Sequence, residues 1–346
     1  MLKSNVRDSN AEKGAWNLRG IVRVFSVWLK LMWRLASFRP NVVYLTLSQN
    51  SAGLARDLLY IFACSIFHVP IIAHLHGSQL KRFLDGLPIK RRQWVLGRLS
   101  RISTIVVCGQ GIASEIEALL PDVRIEAVYN AIPLDVQEFP EKSIKENERL
   151  VIAFMGHLSF AKGFFDLLEA TRRLKAEAPK VLFRFAGERV ERERNISIDR
   201  NGVGGISGWA DAEVMIRESP GTFEEVGIVT GDSKRRFFEG ADIFVLPSHS
   251  EAFPVSVLEA MAAGLPMVLS PVGALPEVII PDKNALFVEP GRPQELAAAL
   301  GRLVRDSELR RKMGKANRND VKRFSIAAMA DSIAIIFDEV VTRGKQ

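Results

Sequence analysis

From about residue 149 onward, short apolar runs alternate with helical segments. Six of these runs are rich in β-branched and aromatic residues and mostly end at Gly, Pro or Ser: RLVIAFMG, VLFRFAG, VGIVTG, DIFVLPS, PMVLS and ALFVEP. Near-continuous apolar strands separated by helices are typical of a parallel sheet that is covered on both faces. The pattern therefore predicts a doubly wound α/β domain over residues 150–325.

The N-terminal part of the chain repeats this scheme less completely. Four runs predict strands, namely NVVYLTL, PIIAHL, TIVVC and RIEAVYN. Helices are expected at about residues 52–68, 90–99 and 111–120. The first strand follows a helix, WNLRGIVRVFSVWLKLMWRLASF, and no strand with a glycine-rich turn precedes it. We therefore expect a Rossmann-like domain that is either N-terminally short or built differently at this end.

Length supports two domains, because 346 residues exceed what one typical core encloses. The predicted organisation is α/β: an N-terminal Rossmann-like domain at 1–140, a polar linker at 141–149, the second domain at 150–325 and a C-terminal helix at 326–346. Periodicity leaves open which domain that helix packs on.

Cysteine content and the N-terminal sequence indicate a cytoplasmic protein. Cys64 and Cys108 both lie in apolar stretches, so we expect them to pack as small hydrophobic residues and not to form a disulfide. The start, MLKSNVRDSNAEKG, has no signal-peptide core. The apolar stretch at 58–75 is interpreted as a buried helix running into a buried strand, and not as a membrane span.

Residues 249–264, HSEAFPVSVLEAMAAG, hold two acids eight positions apart, Glu251 and Glu259. They follow a predicted strand, and the helix after it is expected to open at Pro254, because proline suits the first helical position. The backbone N–H groups of the next residues would then be unpaired at a positive helix end, beyond the carboxyl edge of a parallel strand; these are Val255, Ser256 and Val257. Phosphates bind at such places.

Two carboxylates beside a diphosphate would repel it, so they need another reason to be there. Hydroxyl groups on either side of the diphosphate, a ribose and a transferred sugar, would supply that reason. The ordinary alternative is that Glu251 is a solvated loop acid and that Glu259 complements the helix dipole.

The longer stretch LPSHSEAFPVSVLEAMAAGLPMVLSPVGALPEVI resembles the signature of the family-4 retaining glycosyltransferases of GT-B fold, in which two glutamates enclose seven residues and a small-residue helix follows. The likeness covers residues 149–343 and is weaker in AHLHGS and VYNAIPLD. It implies two doubly wound domains that face each other across a cleft.

The resemblance also implies a role for individual residues. Glu251 would contact hydroxyls of the donor sugar, Glu259 would hold the ribose, and Lys162 would bind the diphosphate. His76 would approach the donor sugar, whereas His74 is expected on the other side of its strand, in packing. The remaining predicted donor-binding residues are Phe253, Pro254, Val255, Ser256, His157, Gly156, Gly77 and Asn130. Taken alone, Lys162 could be an ordinary surface lysine and His76 a structural histidine.

One residue departs from the family pattern. His157 stands where the family usually has arginine, so the diphosphate would lose a fixed bidentate cation. Weaker donor binding or a different donor would follow.

The N-terminal part carries the excess of positive charge. Residues 1–140 hold 17 Lys and Arg against 10 Asp and Glu, and the remainder is balanced. Two segments interleave these cations with Trp and Phe, WNLRGIVRVFSVWLKLMWRLASF and KRFLDGLPIKRRQWVLGRLSR. Basic amphipathic segments of this kind can bind anionic membrane surfaces. The ordinary alternative is that they are solvated faces of surface helices, which show the same charge pattern. No nucleic-acid-binding motif accompanies them, so no nucleic-acid partner is expected.

Together these features predict a retaining glycosyltransferase that moves a sugar from a nucleotide-diphosphate sugar to a glycan or lipid-linked acceptor, in cell-surface polysaccharide or lipopolysaccharide synthesis. It would work in the cytoplasm, at the inner face of the cytoplasmic membrane. No cofactor is expected and no metal, since no His/Cys/Asp cluster shows ligand spacing. The alternatives are a catalytically impaired GT-B-like scaffold at a membrane surface and a sugar-nucleotide epimerase.

Overall fold

The computed structural model describes residues 18–133, 139, 149–177, 180–190, 206 and 208–343. The chain forms two compact units. One consists of the residues up to Tyr129 together with those from Met329 onward, and the other spans Asn130–Ala328. The predicted linker at 141–149 lies outside the described residues except for Arg149.

The first unit contains a four-stranded parallel sheet with its helices. Its elements are α1 (Leu18–Phe38), β1 (Val43–Thr46), α2 (Ser51–Ile66), β2 (Ile71–Leu75), α3 (Leu80–Asp85), α4 (Ile89–Leu99), β3 (Thr104–Val107), α5 (Gln110–Leu119) and β4 (Arg124–Ala127). The strands pair in the order β1-β2-β3-β4. Helix α1 precedes β1, in agreement with the predicted helix at this position.

The second unit contains a six-stranded parallel sheet. Its elements are β5 (Leu150–Met155), α6 (Phe164–Glu177), β6 (Val181–Ala186), α7 (Trp209–Glu218), β7 (Phe223–Gly227), α8 (Gly231–Glu239), β8 (Ile243–Leu246), α9 (Val255–Ala262), β9 (Met267–Leu269), α10 (Leu275–Val278), β10 (Ala285–Phe287), α11 (Pro293–Arg305) and α12 (Ser307–Asp320). A 3-10 turn at Val321–Phe324 and α13 (Ile326–Arg343) follow. The predicted parallel α/β architecture is therefore confirmed.

Strand order in the second sheet locates its ligand-binding edge. The order is β10-β9-β8-β5-β6-β7, so the chain winds outward from β5 in one direction and from β8 in the other. The topological switch point thus lies between β5 and β8. Ligands of open α/β sheets bind there, beyond the carboxyl ends of the strands.

One strand of the second sheet begins earlier than its apolar run predicts. The run VGIVTG starts at Val226, but β7 spans Phe223–Gly227 and Ile228 is exposed. The run is interrupted because Thr230 is the N-cap of α8, where it and Ser233 form a capping box.

Helix α13 packs on the first unit, which answers the question that periodicity leaves open. Ile336 and Val340 share a core with Ile72, Val106 and Val128 of the first sheet and the segment after it. A sheet in sequential order with right-handed crossovers carries its connecting helices on one face. The opposite face must be covered by another element, and the C-terminal helix packs its apolar side chains on the sheet.

The apolar stretch at 58–75 folds as predicted into the end of α2 followed by β2, whose five residues are all buried. The helical part is less buried than expected, because Leu59, Phe62 and Ile66 are exposed. Within the described part of the chain, no helix combines the length and the apolar character needed to cross a bilayer.

Candidate active site

The loops after β5 and β8 lie against each other at the switch point of the second sheet. The His249 N–H donates to the Ala161 carbonyl at 2.9 Å. Gly163 adopts a φ of +68°, and a Cβ at this position would lie 1.9 Å from the Pro247 carbonyl oxygen. Only glycine allows this approach, so Gly163 fixes the loop that carries Lys162 against the loop that carries Glu251.

Lys162 and Glu251 form an ion pair in this contact. The Lys162 ammonium donates to both carboxylate oxygens of Glu251 at 2.6 Å, and the Ser248 hydroxyl donates to one of them at 2.8 Å. Only 8% of Glu251 is exposed. Burial of a carboxylate is costly unless it is paired and hydrogen-bonded, and both conditions hold here. Glu251 is therefore not a solvated loop acid.

A second close approach fixes the backbone of Glu251. Gly273 has a φ of +60°, and a Cβ there would lie 2.4 Å from the carbonyl oxygens of Glu251 and Ala252. The Ala274 N–H also donates to the Ala252 carbonyl, at 2.8 Å. The segment after β9 thus supports the loop after β8.

Helix α9 begins directly after this loop. Pro254 is its N-cap and Val255 its first residue, so the predicted start at Pro254 is one residue early. The prediction that Val257 offers a free N–H is wrong, because it donates to the Pro254 carbonyl at 3.1 Å. Among the described residues no acceptor is found for the N–H groups of Val255 and Ser256. Two amides therefore remain available at the positive end of the helix.

Glu259 lies inside α9 and is paired with a lysine that the sequence pattern did not indicate. Its side chain is buried, with 5% of the residue exposed. The Lys234 ammonium, from α8, donates to one carboxylate oxygen. Burial and pairing go beyond what a dipole-complementing acid needs, because such an acid works at the surface. The second oxygen retains lone pairs that could accept hydroxyl groups.

Three other predicted donor-binding residues lie around these loops. The Asn130 side-chain amide donates to the Phe253 carbonyl at 2.7 Å, which holds the residue just before Pro254. Gly156 follows β5 directly, and a Cβ there would lie 3.8 Å from the Lys162 stem. His157 is exposed beside it. Asn130 thus contacts the loop after β8 through Phe253. Gly156 and His157 lie at the start of the loop after β5.

A His–Asp pair forms another contact between the loop after β8 and the segment that follows the loop after β5. His249 and Asp166 lie 2.6 Å apart, Nε2 to Oδ2, and join the loop after β8 to the first turn of α6. Sequence reasoning missed this pair because the partners are 83 positions apart.

The two predicted residues of the first unit, His76 and Gly77, follow β2. The expectation that His74 lies on the other side of the strand is wrong: its ring stacks on that of His76, with centroids 3.9 Å apart. Side chains alternate along a strand, so residues two positions apart share a face. His74 is fully buried, which confirms its packing role and lowers its pKa to about 4. Loss of hydration also lowers the pKa of His76, so both imidazoles are neutral near pH 7.

Next to Gly77 there is little free space. A Cβ at Gly77 would lie 2.0 Å from the Gln49 amide nitrogen. This atom is the end of a flexible side chain that can move, so the contact does not by itself require glycine at position 77.

The residues of the second unit offer chemical groups that suit an anion flanked by hydroxyl groups. Lys162 and the amides at the start of α9 offer positive charge and N–H donors, which suit phosphate oxygens. Glu251 and Glu259 offer buried acceptors, which suit sugar hydroxyls. Each acid is held by its own lysine, so neither is an unpaired buried charge that would repel an incoming anion.

Parts of the chain are similar to known glycosyltransferases. Residues 217–320 match the family model described as Glycosyl transferases group 1. The matched range runs from the end of α7 to the end of α12 and includes Lys234, Glu251 and Glu259.

Two curated relatives are similar over longer ranges. An uncharacterised glycosyltransferase of Methanocaldococcus jannaschii is 26% identical over 278 residues, which are 74% of this chain and 65% of the relative. A D-inositol 3-phosphate glycosyltransferase of Corynebacterium jeikeium is 29% identical over 201 residues, which are 56% of this chain and 44% of the relative. The chain thus spans less than two thirds of the length of either.

Among solved structures, Anabaena HepE in complex with UDP is similar, with a TM-score of 0.71 and 16% identity over 91% of this chain and 82% of that one. The same protein has also been solved with UDP-glucose. At this level of identity the likeness shows the fold.

Proposed function

We propose that the chain is a glycosyltransferase that transfers a sugar from a nucleotide-diphosphate sugar to a glycan or lipid-linked acceptor. The observation that carries this proposal is the pair of buried acids, each held by a lysine, beside the start of α9 at the switch point. The matched family model and relatives that are named glycosyltransferases support it.

The donor would lie across the loops after β5 and β8. Its diphosphate would meet the Lys162 ammonium and the Val255 and Ser256 amides. Its ribose hydroxyls would bind Glu259, and its sugar hydroxyls Glu251. This arrangement matches each part of a nucleotide sugar with a group of suitable charge. UDP and UDP-glucose bound to the fold relative HepE make uridine donors the first to test.

The reaction breaks the bond between the sugar anomeric carbon and the diphosphate oxygen and forms one to the acceptor oxygen. Negative charge develops on the leaving diphosphate, where preorganised N–H donors and a cation lower the barrier. Lys162 and the α9 amides would fill that role. The acceptor hydroxyl would pass its proton to the departing diphosphate on the same face, which gives retention of configuration without an enzymic nucleophile.

His76 would contribute from the first unit. With its pKa lowered by loss of hydration, a neutral imidazole can accept or donate a hydrogen bond to a sugar hydroxyl near pH 7. His76 is therefore suited to contact a hydroxyl of the donor sugar.

The acceptor would be presented at an anionic membrane surface, in cell-surface polysaccharide or lipopolysaccharide synthesis on the cytoplasmic side. Helix α1 supports this, because an apolar stripe along it is half or more exposed; it consists of Val22, Phe25, Leu29 and Trp33. Exposed cations lie beside the stripe at Arg23, Lys30 and Arg34. The Trp28 indole donates to the Leu59 carbonyl at 3.2 Å, which anchors α1 on α2. Apolar and basic groups on one helix suit an anionic interface.

A panel of nucleotide sugars tests the donor proposal. Wild type should be thermally stabilised by one class of nucleotide sugar, and Glu259→Ala should respond much less. Glu308→Ala is the control, since Glu308 is an exposed acid paired with Arg311 on α12. No stabilisation by any donor, or equal responses in wild type and Glu259→Ala, would show that the site is assigned wrongly.

Vesicle binding tests the membrane proposal separately. Wild type should bind vesicles that contain phosphatidylglycerol, and binding should weaken with salt and in Trp33→Ala. Val214→Ala is the control, because Val214 is an exposed apolar residue on α7 of the second unit. Binding that is insensitive to salt and to Trp33→Ala would rule out this surface.

A further inference from the structure

Two histidines and a cysteine meet at the carboxyl edge of the first sheet. His74 belongs to β2, His76 follows β2 by one residue, and Cys108 follows β3 by one residue. Strands β2 and β3 are parallel neighbours with His74 opposite Val106. One ligand atom from each of the three side chains lies within 4.8 Å of the other two. Cys108 lies 34 positions after His74 in the sequence, so spacing alone could not reveal the group.

The hydrogen bonding of the His74 ring leaves one nitrogen able to coordinate a metal ion. Its Nε2 is buried and has no hydrogen-bond partner. Its Nδ1 lies 2.5 Å from the Tyr44 hydroxyl. If Nδ1 carries the proton and donates it to Tyr44, the Nε2 lone pair is free to coordinate. Histidine ligands of metals commonly donate their other N–H to an oxygen in this way. Leaving a buried nitrogen unsatisfied otherwise costs free energy.

Cys108 completes the donor set. Its buried thiol makes a weak contact with the Leu75 carbonyl, 3.7 Å from Sγ to O. Two imidazoles and one sulfur are donors that select Zn²⁺ over Mg²⁺ or Ca²⁺.

We propose that His74, His76 and Cys108 bind one Zn²⁺ ion, with His74 oriented by Tyr44. Three protein ligands leave a fourth position for water. Ligand atoms around tetrahedral zinc lie roughly 3.5 Å apart, given bonds of about 2.0 to 2.3 Å. The present separations therefore need to contract by about an ångström, and His76 must rotate out of its stack with His74. His76 is an exposed residue just after the end of β2, where a side chain is less confined than in the core.

Zinc binding displaces the Cys108 proton. Cysteine binds zinc as the thiolate, so binding releases one proton and affinity increases with pH.

Zinc would also act as an inhibitor, a consequence that rests on the proposed function. An imidazole whose nitrogen coordinates zinc cannot contact a donor sugar through that nitrogen. Zn²⁺ should therefore lower transfer while leaving nucleotide binding to the second unit unchanged.

Calorimetry with Zn²⁺ on the full chain, without a donor, tests the site itself. Wild type should bind one ion per chain, and Cys108→Ser and His76→Ala should each bind it at least about 100-fold more weakly. Tyr44→Phe should weaken binding about tenfold, as expected for an orienting residue. The controls are Cys64→Ser and Tyr60→Phe, which remove a buried thiol and a buried hydroxyl from α2 and should bind as wild type does.

Co²⁺ gives a second readout on wild type in case a variant does not fold. A thiolate-to-cobalt charge-transfer band that Zn²⁺ abolishes is the expected result. Binding that is unchanged in Cys108→Ser or His76→Ala, a cobalt spectrum without the thiolate band, or no binding to wild type would each overturn the proposal. Because no donor is present, these outcomes are independent of whether the chain transfers sugars.

Discussion

The Lys162 ammonium lies 2.6 Å from both carboxylate oxygens of Glu251, although the two residues are 89 positions apart. The pair joins the loops that follow β5 and β8, the strands on either side of the switch point. A lysine and an acid brought together there can serve ligand binding as well as the fold.

Lys162→Met should destabilise the second unit by about 2 to 4 kcal/mol, because it leaves the buried Glu251 carboxylate without its cation. Adding Glu251→Gln should restore part of this loss, since a neutral amide can still accept from Ser248. Urea unfolding of wild type, both single variants and the double variant measures the coupling. Strictly additive effects would mean that the ion pair does not stabilise the fold.

Lys234→Met should weaken binding of the nucleotide part of the donor by about tenfold, equivalent to about 1.4 kcal/mol. Without Lys234 the Glu259 carboxylate, the proposed ribose contact, loses the cation that holds it. Calorimetry with the nucleoside diphosphate alone measures this effect. Arg235→Met is the matched control on the same helix, because Arg235 pairs with Glu239 and not with Glu259. Equal losses in the two variants would indicate a general effect on α8.

Gly163→Ala should cost at least about 2 kcal/mol of stability, since the added Cβ meets the Pro247 carbonyl and the backbone has a positive φ. It should also weaken donor binding, because the two loops would separate. Thermal melting and donor titration measure both effects. Gly97→Ala, in α4 with nothing near the added Cβ, should instead be neutral or stabilising by up to about 1 kcal/mol. Tolerance of alanine at position 163 would contradict the described loop contact.

The strands and most helices could be predicted because parallel sheets bury both faces, so their strands are nearly continuous apolar runs. Lys162 and Glu251 are expected at the same edge because parallel strands end there, but their contact depends on β5 and β8 being neighbours in the sheet. Lys234 could not be predicted as the partner of Glu259. The sequence around Thr230 has a capping-box pattern, but which acid a lysine on α8 meets depends on how α8 and α9 pack.

The first unit shows the same limit. His74 and His76 belong together by the two-residue period of a strand. Cys108 joins them only because β3 pairs with β2, and that neighbour relation depends on the topology of the sheet. For the same reason the position of the C-terminal helix on the first sheet was not readable from its own periodicity.

Asp57 gives a pH dependence in the first unit. Burial raises the pKa of this carboxyl above its ordinary 3.8, against the opposing effects of Arg56 and Ser48. The folded state therefore holds the proton at pH values where the unfolded chain has released it. This contribution to stability is present below pH 3.8 and is lost as pH rises through the raised pKa.

Asp57→Asn removes the titration and keeps an acceptor for the Ser48 N–H. Relative to this variant, wild type should lose stability as the pH rises above about 4. Hydrogen exchange of α2 amides, measured at each pH after correction for intrinsic exchange rates, reports this local stability. A stability difference that is constant, or that grows in favour of wild type as pH rises, would contradict the direction of the shift.

In the proposed reaction, Lys162 and the start of α9 stabilise a leaving nucleoside diphosphate. The most direct test is the rate at which the protein releases nucleoside diphosphate from the nucleotide sugar that stabilises it best, compared between wild type and Lys162→Met at a temperature where both are folded. We predict a rate for Lys162→Met that is lower by about 100-fold or more. Equal rates for the two proteins would show that Lys162 does not stabilise the leaving nucleoside diphosphate. No release by wild type from any nucleotide sugar, with or without an acceptor, would rule out the proposed transfer reaction.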